Sequence, residues 1–308
     1  MRKCVPVEVV GKSLGRDGRG VTDAMIPADR WDTVAIVGVG LIGGSIGLAM
    51  QRRGLVRRVV GIGRREESLR RAERHGAVTE ATTCLSEGVA DAELVVVCTP
   101  VADIVERVRQ AARFCRATAL ITDVGSCKAG IVRALRRMPI GGASFIGSHP
   151  IAGGERAGPE HADSDLFVGR VVVVTPTSAS DRGQVARLTR FWESLGATVL
   201  EMTAPRHDRI VASTSHVVHL VASALAAATA PAELRLAGSG WRDTTRVAAA
   251  DAGLWQQILS GNRDAVLKSL DRFERVLLRF REALERQDTV GIERLLDAGK
   301  KIRDTLGN

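Results

Sequence analysis

Apolar residues along this chain change their period near residue 180. Before it, short apolar runs alternate with amphipathic stretches: Val34–Val37, Val59–Ile62, a near-continuous run within Ala92–Thr99, Ala119–Asp123, Phe145–Pro150 and Val171–Val174. Short apolar runs bounded by turn residues read as strands, and runs apolar on both faces read as buried strands of a parallel sheet. Their alternation with helical stretches over residues 33–175 predicts a doubly wound α/β sheet. After residue 180 the pattern is helical. Residues 209–228 are apolar or small on nearly every face, interrupted by His216 and His219. A helix of that length, ~30 Å, would cross a bilayer. The two histidines, the serines and the lack of a second such segment predict a buried central helix and no membrane partner. Further on, Val266, Leu270, Phe273, Leu277, Phe280 and Leu284 recur at spacings of four and three. That stripe is a seam for packing against another helix, in this subunit or a partner. One all-apolar helix plus one seam predicts a shared dimer core. The expected organisation is an arm over 1–30, an α/β domain over 31–178 and an all-helical dimerisation domain over 179–308.

The first strand runs into Gly38-Val39-Gly40-Leu41-Ile42-Gly43, and a helical pattern follows at once. Each glycine of this G-x-G-x-x-G spacing has a physical task. Gly38 permits the tight turn, Gly40 lets backbone approach a pyrophosphate, and Gly43 lets helix and strand pack closely. The pyrophosphate would rest on the unpaired N–H groups of Leu41 and Ile42 at the helix N-terminus. Strand, glycines and helix in that order predict a dinucleotide-binding Rossmann sheet. The second strand ends about 20 residues on, where an NAD site wants a carboxylate for the ribose 2′-hydroxyl. Here Gly63 is followed by Arg64 and Arg65. Two guanidiniums suit a 2′-phosphate, at about 1.5–3 kcal/mol per charge-assisted bond, so NADP is expected ahead of NAD. Thr99 and Pro100 close the next strand at the edge where cofactors lie.

Composition narrows the function classes. The 308 residues suffice for two cores. The net charge of +9 is carried mainly by arginine, with six lysines. Aromatics make up only 3%, without a tyrosine, and the arginines alternate with acids instead of forming a block. Nucleic acid is therefore not an expected partner, and the charge suits anionic small molecules. Five scattered cysteines without a C-x-x-C pair predict reduced thiols and a cytoplasmic protein. Residues 1–30 are polar, glycine-rich and basic, lack the apolar core of a signal peptide, and read as a flexible arm.

Ser126, His149, His216, His219, Arg246 and Trp255 are the residues whose chemistry stands out. Ser126 and His149 follow strand ends, beside the expected nicotinamide. His216 and His219 lie one helical turn apart. With His207 or Asp208 they have spacing that a metal would tolerate, but no metal is expected.

The chain resembles the TyrA family of prephenate and arogenate dehydrogenases. The resemblance rests on Gly-Val-Gly-Leu-Ile-Gly-Gly-Ser (38–45), Asp-Val-Gly-Ser-Cys-Lys (123–128) and Gly-Ser-His-Pro-Ile-Ala-Gly-Gly-Glu (147–155). It extends through His207-Asp208, Ser-His-Val-Val-His (215–219), Arg-Asp-Thr-Thr-Arg-Val-Ala (242–248) and Leu254-Trp255. It implies oxidative decarboxylation: hydride leaves C4 of a cyclohexadienyl ring for NADP⁺ (or NAD⁺) and the hydroxyl on that carbon loses its proton. The ring carboxylate departs as CO₂, leaving an aromatic ring. On that resemblance His149 accepts the hydroxyl proton and Ser126 holds the hydroxyl or the histidine in line. Arg246 forks a substrate carboxylate, while His219, Trp255 and His216 surround the side chain. Glu155 either gates the substrate or faces solvent. The chain departs from the family at Gly63, where an acid is common, and at Val218, where proline is common. Two other readings stand beside it: a dehydrogenase of a 4-amino ring analogue, and an NADP-binding regulator without turnover.

Overall fold

The computed structural model describes residues 30–136, 142–154, 156 and 158–307; the expected N-terminal arm, except residue 30, and Glu155 lie outside them. Trp31–Val37 (β1) is buried at every position but Asp32, as its apolar run requires. It begins a six-stranded sheet with Val56–Ile62 (β2), Glu80–Thr82 (β3), Leu94–Val97 (β4), Leu120–Asp123 (β5) and Ser144–Phe145 (β6). The order is β3-β2-β1-β4-β5-β6, and all neighbours are parallel. Side chains alternate between two cores. Val34, Ile36, Val59, Leu94 and Val96 face one; Ala35, Val37, Val60, Val95 and Val97 face the other. This is the expected doubly wound Rossmann sheet.

Register sets the position of the site. Val37 pairs with Ile62 and with Val97, and Val97 pairs with Asp123. Four carboxyl ends are therefore level, and Gly38, Gly63, Cys98 and Val124 leave the sheet along one edge. The strand order reverses between β1 and β4, which is where doubly wound sheets bind their ligands.

The run Phe145–Pro150 is not one strand. Ile146 N–H donates a last bond to Ile121 O (3.0 Å), after which the chain leaves the sheet. Gly147–Pro150 (β7) instead pairs antiparallel with Val171–Thr175 (β8), which pairs parallel with Thr198–Glu201 (β9). Ser148 fastens this second sheet to the first. Its Oγ donates to Asp123 O (2.7 Å) and accepts from Thr122 Oγ1 (2.9 Å) and Trp192 Nε1 (3.2 Å). The α/β layer thus runs to Glu201, beyond the division expected at 178. Arg182–Ser194 is the crossover helix between β8 and β9, so the helical pattern after 180 belongs first to a strand-helix-strand unit.

Helices follow from Ala204. Ala204–Val211 leads through a π turn, Ala212–His216, into Val217–Ala228. π turns inside helices occur frequently at functional sites. By length and composition the whole span Ala204–Ala228 could cross a membrane. The expectation of a buried central helix needs correction, because within Val217–Ala228 only Val217, His219 and Ala222 are buried in one chain. The seam likewise begins buried at Val266 but leaves Leu277 55% and Leu284 64% exposed on Arg263–Glu285. Both faces are apolar and bare in a single copy.

Candidate active site

The three motif glycines separate into two kinds. Gly38 has φ +97°, and a Cβ there would lie 2.9 Å from Cys98 O; a Cβ on Gly43 would lie 2.4 Å from Gly38 O. The fold itself requires these two. A Cβ on Gly40 would meet nothing within 4 Å, so its bare backbone faces open space. That space is a cavity of about 230 Å³ lined by Gly38, Gly40, Gly63, Arg64, Arg65, Thr99 and Pro100 among others. Thr99 Oγ1 is buried there without a hydrogen-bond partner. No side chain caps helix Leu41–Arg52, which leaves its first N–H groups to a ligand. A dinucleotide fits this donor set. Leu41 and Ile42 sit on the first helical turn, off the cavity wall, and Gly43 is buried against the turn. No carboxylate stands at the end of β2, but Asp103 reaches the wall from helix Val101–Phe114, with Arg107 one turn further.

His149, half-buried on β7, is held by a relay. Its Nδ1 lies 2.8 Å from His207 Nε2, and His207 Nδ1 lies 2.8 Å from Asp208 Oδ1. Asp208 is fixed in turn: Oδ1 accepts from Lys128 N–H and Oδ2 from Ala129 N–H, both at 2.8 Å. With both rings neutral, these bonds set their tautomers. The carboxylate can only accept, so His207 Nδ1 carries hydrogen and His207 Nε2 is a lone pair. His149 Nδ1 must then donate, leaving the lone pair of His149 Nε2 free to take a proton. Of the two tasks expected of Ser126, holding the substrate hydroxyl or holding His149, the ring's bond is made by His207, and Ser126 lies half-buried after β5.

A second branch ties in the remaining histidines. Asn262 Nδ2 donates to Asp208 O (2.8 Å) and to His216 Nδ1 (3.1 Å). Trp255 meets His216 edge-on (6.1 Å between centroids) and stacks flat on His219 (3.6 Å, 9°). His219 Nδ1 is buried with no partner. Arg246 is exposed on the turn Arg246–Ala249, which packs against the helix bearing His219. Buried Cys127 donates to Ile258 O (3.3 Å), joining the loop after β5 to helix Ala252–Gly261. Among the described residues, no group of three His, Cys, Asp or Glu is placed to hold a metal ion. Both nitrogens of His207 are already engaged.

Electrostatics favour the neutral form of His149 and of His216. Burial, then the neighbouring His207, Lys128 and His216, push the His149 value well below 6.5. Burial takes His216 down to about 4, although Asp208 opposes it. Burial alone would raise Asp208, but the His207 bond and the Lys128 and Ala129 N–H groups hold it below the usual carboxylate range. The folded value of His216 lies below its unfolded one, so the unfolded chain takes the proton more readily. Its contribution is full above 6.5 and is lost as pH falls toward 4. Urea unfolding should show stability dropping over that window, by ~3 kcal/mol from His216 alone. Stability unchanged across the window would contradict a buried neutral His216.

Comparison with known proteins agrees with this architecture. Residues 46–201 match the model of the prephenate dehydrogenase nucleotide-binding domain, and residues 203–298 match that of the prephenate dehydrogenase dimerization domain. The chain belongs to the prephenate dehydrogenase family. The prephenate dehydrogenase of Bacillus subtilis is 31% identical over 282 residues, 89% of this chain and 76% of that one. A crystal structure of the Aquifex aeolicus prephenate dehydrogenase, in complex with hydroxyphenyl propionate and NAD⁺, superposes with TM-score 0.82. Identity to it is 31%, covering 89% of this chain and 98% of that one. The Synechocystis arogenate dehydrogenase superposes with TM-score 0.76 at 30% identity, covering 89% of this chain and 99% of that one. Solved relatives named for prephenate and for arogenate are thus similar to this chain at 31% and 30% identity.

Proposed function

We propose that this protein catalyses oxidative decarboxylation of prephenate, arogenate or both, with NADP⁺ preferred over NAD⁺ as hydride acceptor. The observation that carries this reading is the relay itself, His149 Nδ1 to His207 Nε2 and His207 Nδ1 to Asp208 Oδ1 at 2.8 Å each, in a member of the prephenate dehydrogenase family. When bound, the nicotinamide takes the hydride from the ring carbon. His149 Nε2 accepts the proton of the hydroxyl on that carbon, and the positive charge it gains is steadied through His207 by the Asp208 carboxylate. Positioned general bases typically contribute ~10²–10⁴-fold. Ser126 bonds the substrate hydroxyl. Arg246 pairs with a substrate carboxylate, the contact for which a planar fork is suited. His219 and Trp255 form one flat wall for the side chain, with His216 behind them. Gly38, Gly40, Thr99 and Pro100 would border a dinucleotide, and the helix N-terminus beside the cavity, at Leu41, Ile42 and Gly43, would supply N–H groups for its pyrophosphate. Two copies would cover each other's bare helical faces, consistent with the match to a dimerization domain. The four described cysteines are free thiols, in keeping with a reducing cytoplasm.

Arg64 and Arg65 on the cavity wall support the NADP preference. Arg64→Ala should weaken NADP⁺ binding at least ~10-fold, the loss of about 1.4 kcal/mol or more, and leave NAD⁺ nearly unchanged. Titration calorimetry with each cofactor reads this directly, and equal losses would remove Arg64 from the 2′-phosphate. Steady-state assays with prephenate and arogenate, each with NAD⁺ and NADP⁺, test the reaction. Cofactor reduction with at least one substrate is expected; none with either would overturn the proposal.

A further inference from the structure

One fully buried ion pair lies outside the relay. The Lys128 ammonium and the Asp123 carboxylate meet with neither side chain exposed. Such pairs are weak sources of stability, because desolvating two charges offsets their attraction. Asp123 Oδ2 also accepts the Gly125 N–H (2.9 Å), while Oδ1 is buried without a partner. The pair occupies the space under Gly147: a Cβ there would sit 3.4 Å from Asp123 Oδ1 and 3.5 Å from Lys128 Cδ. Gly147 and His149 are two apart on β7, so their side-chain directions share one face of the strand. Lys128 therefore runs beneath the face from which His149 projects, and its own backbone N–H anchors Asp208.

We propose that Lys128 is a positioning residue for the base, its ammonium clamped by Asp123 behind His149 to keep that imidazole uncharged until substrate yields its proton. The proposal rests on His149 being the base. A like charge in a low-dielectric interior disfavours a second one nearby. The groups that act on His149 are Lys128 from the loop after β5, His207 from Ala204–Val211 and His216 from the π turn. Asp208 bonds His207, and Asp123 bonds Lys128 and the Gly125 N–H through Oδ2. Lys128 is the fixed cation among these groups.

The test compares wild type, Lys128→Met and the double variant Asp123→Asn/Lys128→Met. The double variant leaves no unpaired buried charge, which keeps the test open where the single one fails to fold. Two readouts are used: ring titration of His149 by NMR, its signal identified by loss in His149→Asn, and the acid limb of kcat/KM. Removing the ammonium should raise the His149 midpoint by about one pH unit and carry the acid limb up with it. A purely structural lysine would lower kcat at every pH while both midpoints stayed in place, and that result overturns the proposal. If the ring titration moves and the acid limb does not, the effect of Lys128 on the ring stands and His149 as the base fails.

Discussion

His149→Asn should lower kcat at least ~100-fold, with cofactor affinity and melting temperature close to wild type. The asparagine amide can still donate to His207 Nε2 and preserve the packing around β7, but it has no basic lone pair to take a proton. The loss therefore falls on the chemical step and spares the dinucleotide cavity, whose wall does not include His149. Stopped-flow reduction of cofactor at saturating substrate, with a thermal melt alongside, gives both numbers. Retained turnover would remove His149 from the reaction.

Asp208→Asn is expected to have the second-largest effect, and on two properties at once. The native carboxylate accepts three bonds: Lys128 N–H and His207 Nδ1 on Oδ1, Ala129 N–H on Oδ2. An amide has one acceptor oxygen. In the better orientation it keeps Oδ1 and turns an NH₂ toward the Ala129 N–H, leaving two donors face to face in a buried place. An unsatisfied buried donor costs about 1–3 kcal/mol of stability. The neutral amide also no longer steadies the charge that His149 and His207 gain on proton transfer, so kcat should fall by roughly 10²-fold. Asp208→Asn with unchanged melting temperature and kcat would mean the relay is ornamental.

The dinucleotide half was readable in the sequence because its signals are local. A buried strand, three glycines and a helix lie within Trp31–Arg52, and close backbone approaches require Gly38 and Gly43 while Gly40 faces the cavity. The second sheet was less legible. Phe145–Pro150 is one apolar-leaning run, and nothing in its pattern reveals that Ile146 ends one sheet and Gly147 starts another. That break depends on Ser148 finding Asp123 O and Trp192, more than twenty residues away in each direction. β9 was hidden for a different reason: four residues, three of them exposed, carry little periodicity.

The relay shows the same division. His149 stood out by its place after a strand, but the residues that hold it are 58 and 59 positions away. His207-Asp208 appeared in sequence only as a family motif and a metal alternative. One signal was available. Asp208, His216 and His219 are eight and three apart, a spacing that keeps them on one helical face. What no spacing supplies is the approach of that face to β7, which comes from the loop after β5 binding Asp208 through two backbone N–H groups. Burial of the central helix was misjudged because its apolar face is bare in one copy, while the exposed part of the seam accords with its reading as a face for a helix of this subunit or a partner.

The most direct measurement is a crystal structure of the protein with oxidised cofactor and a phenolic product analogue. The relay predicts His149 Nδ1 still bonded to His207 and His149 Nε2 about 2.6–3.2 Å from the ring hydroxyl, or one water away. A hydroxyl seated beyond that reach, with the His207 bond intact, would contradict the account.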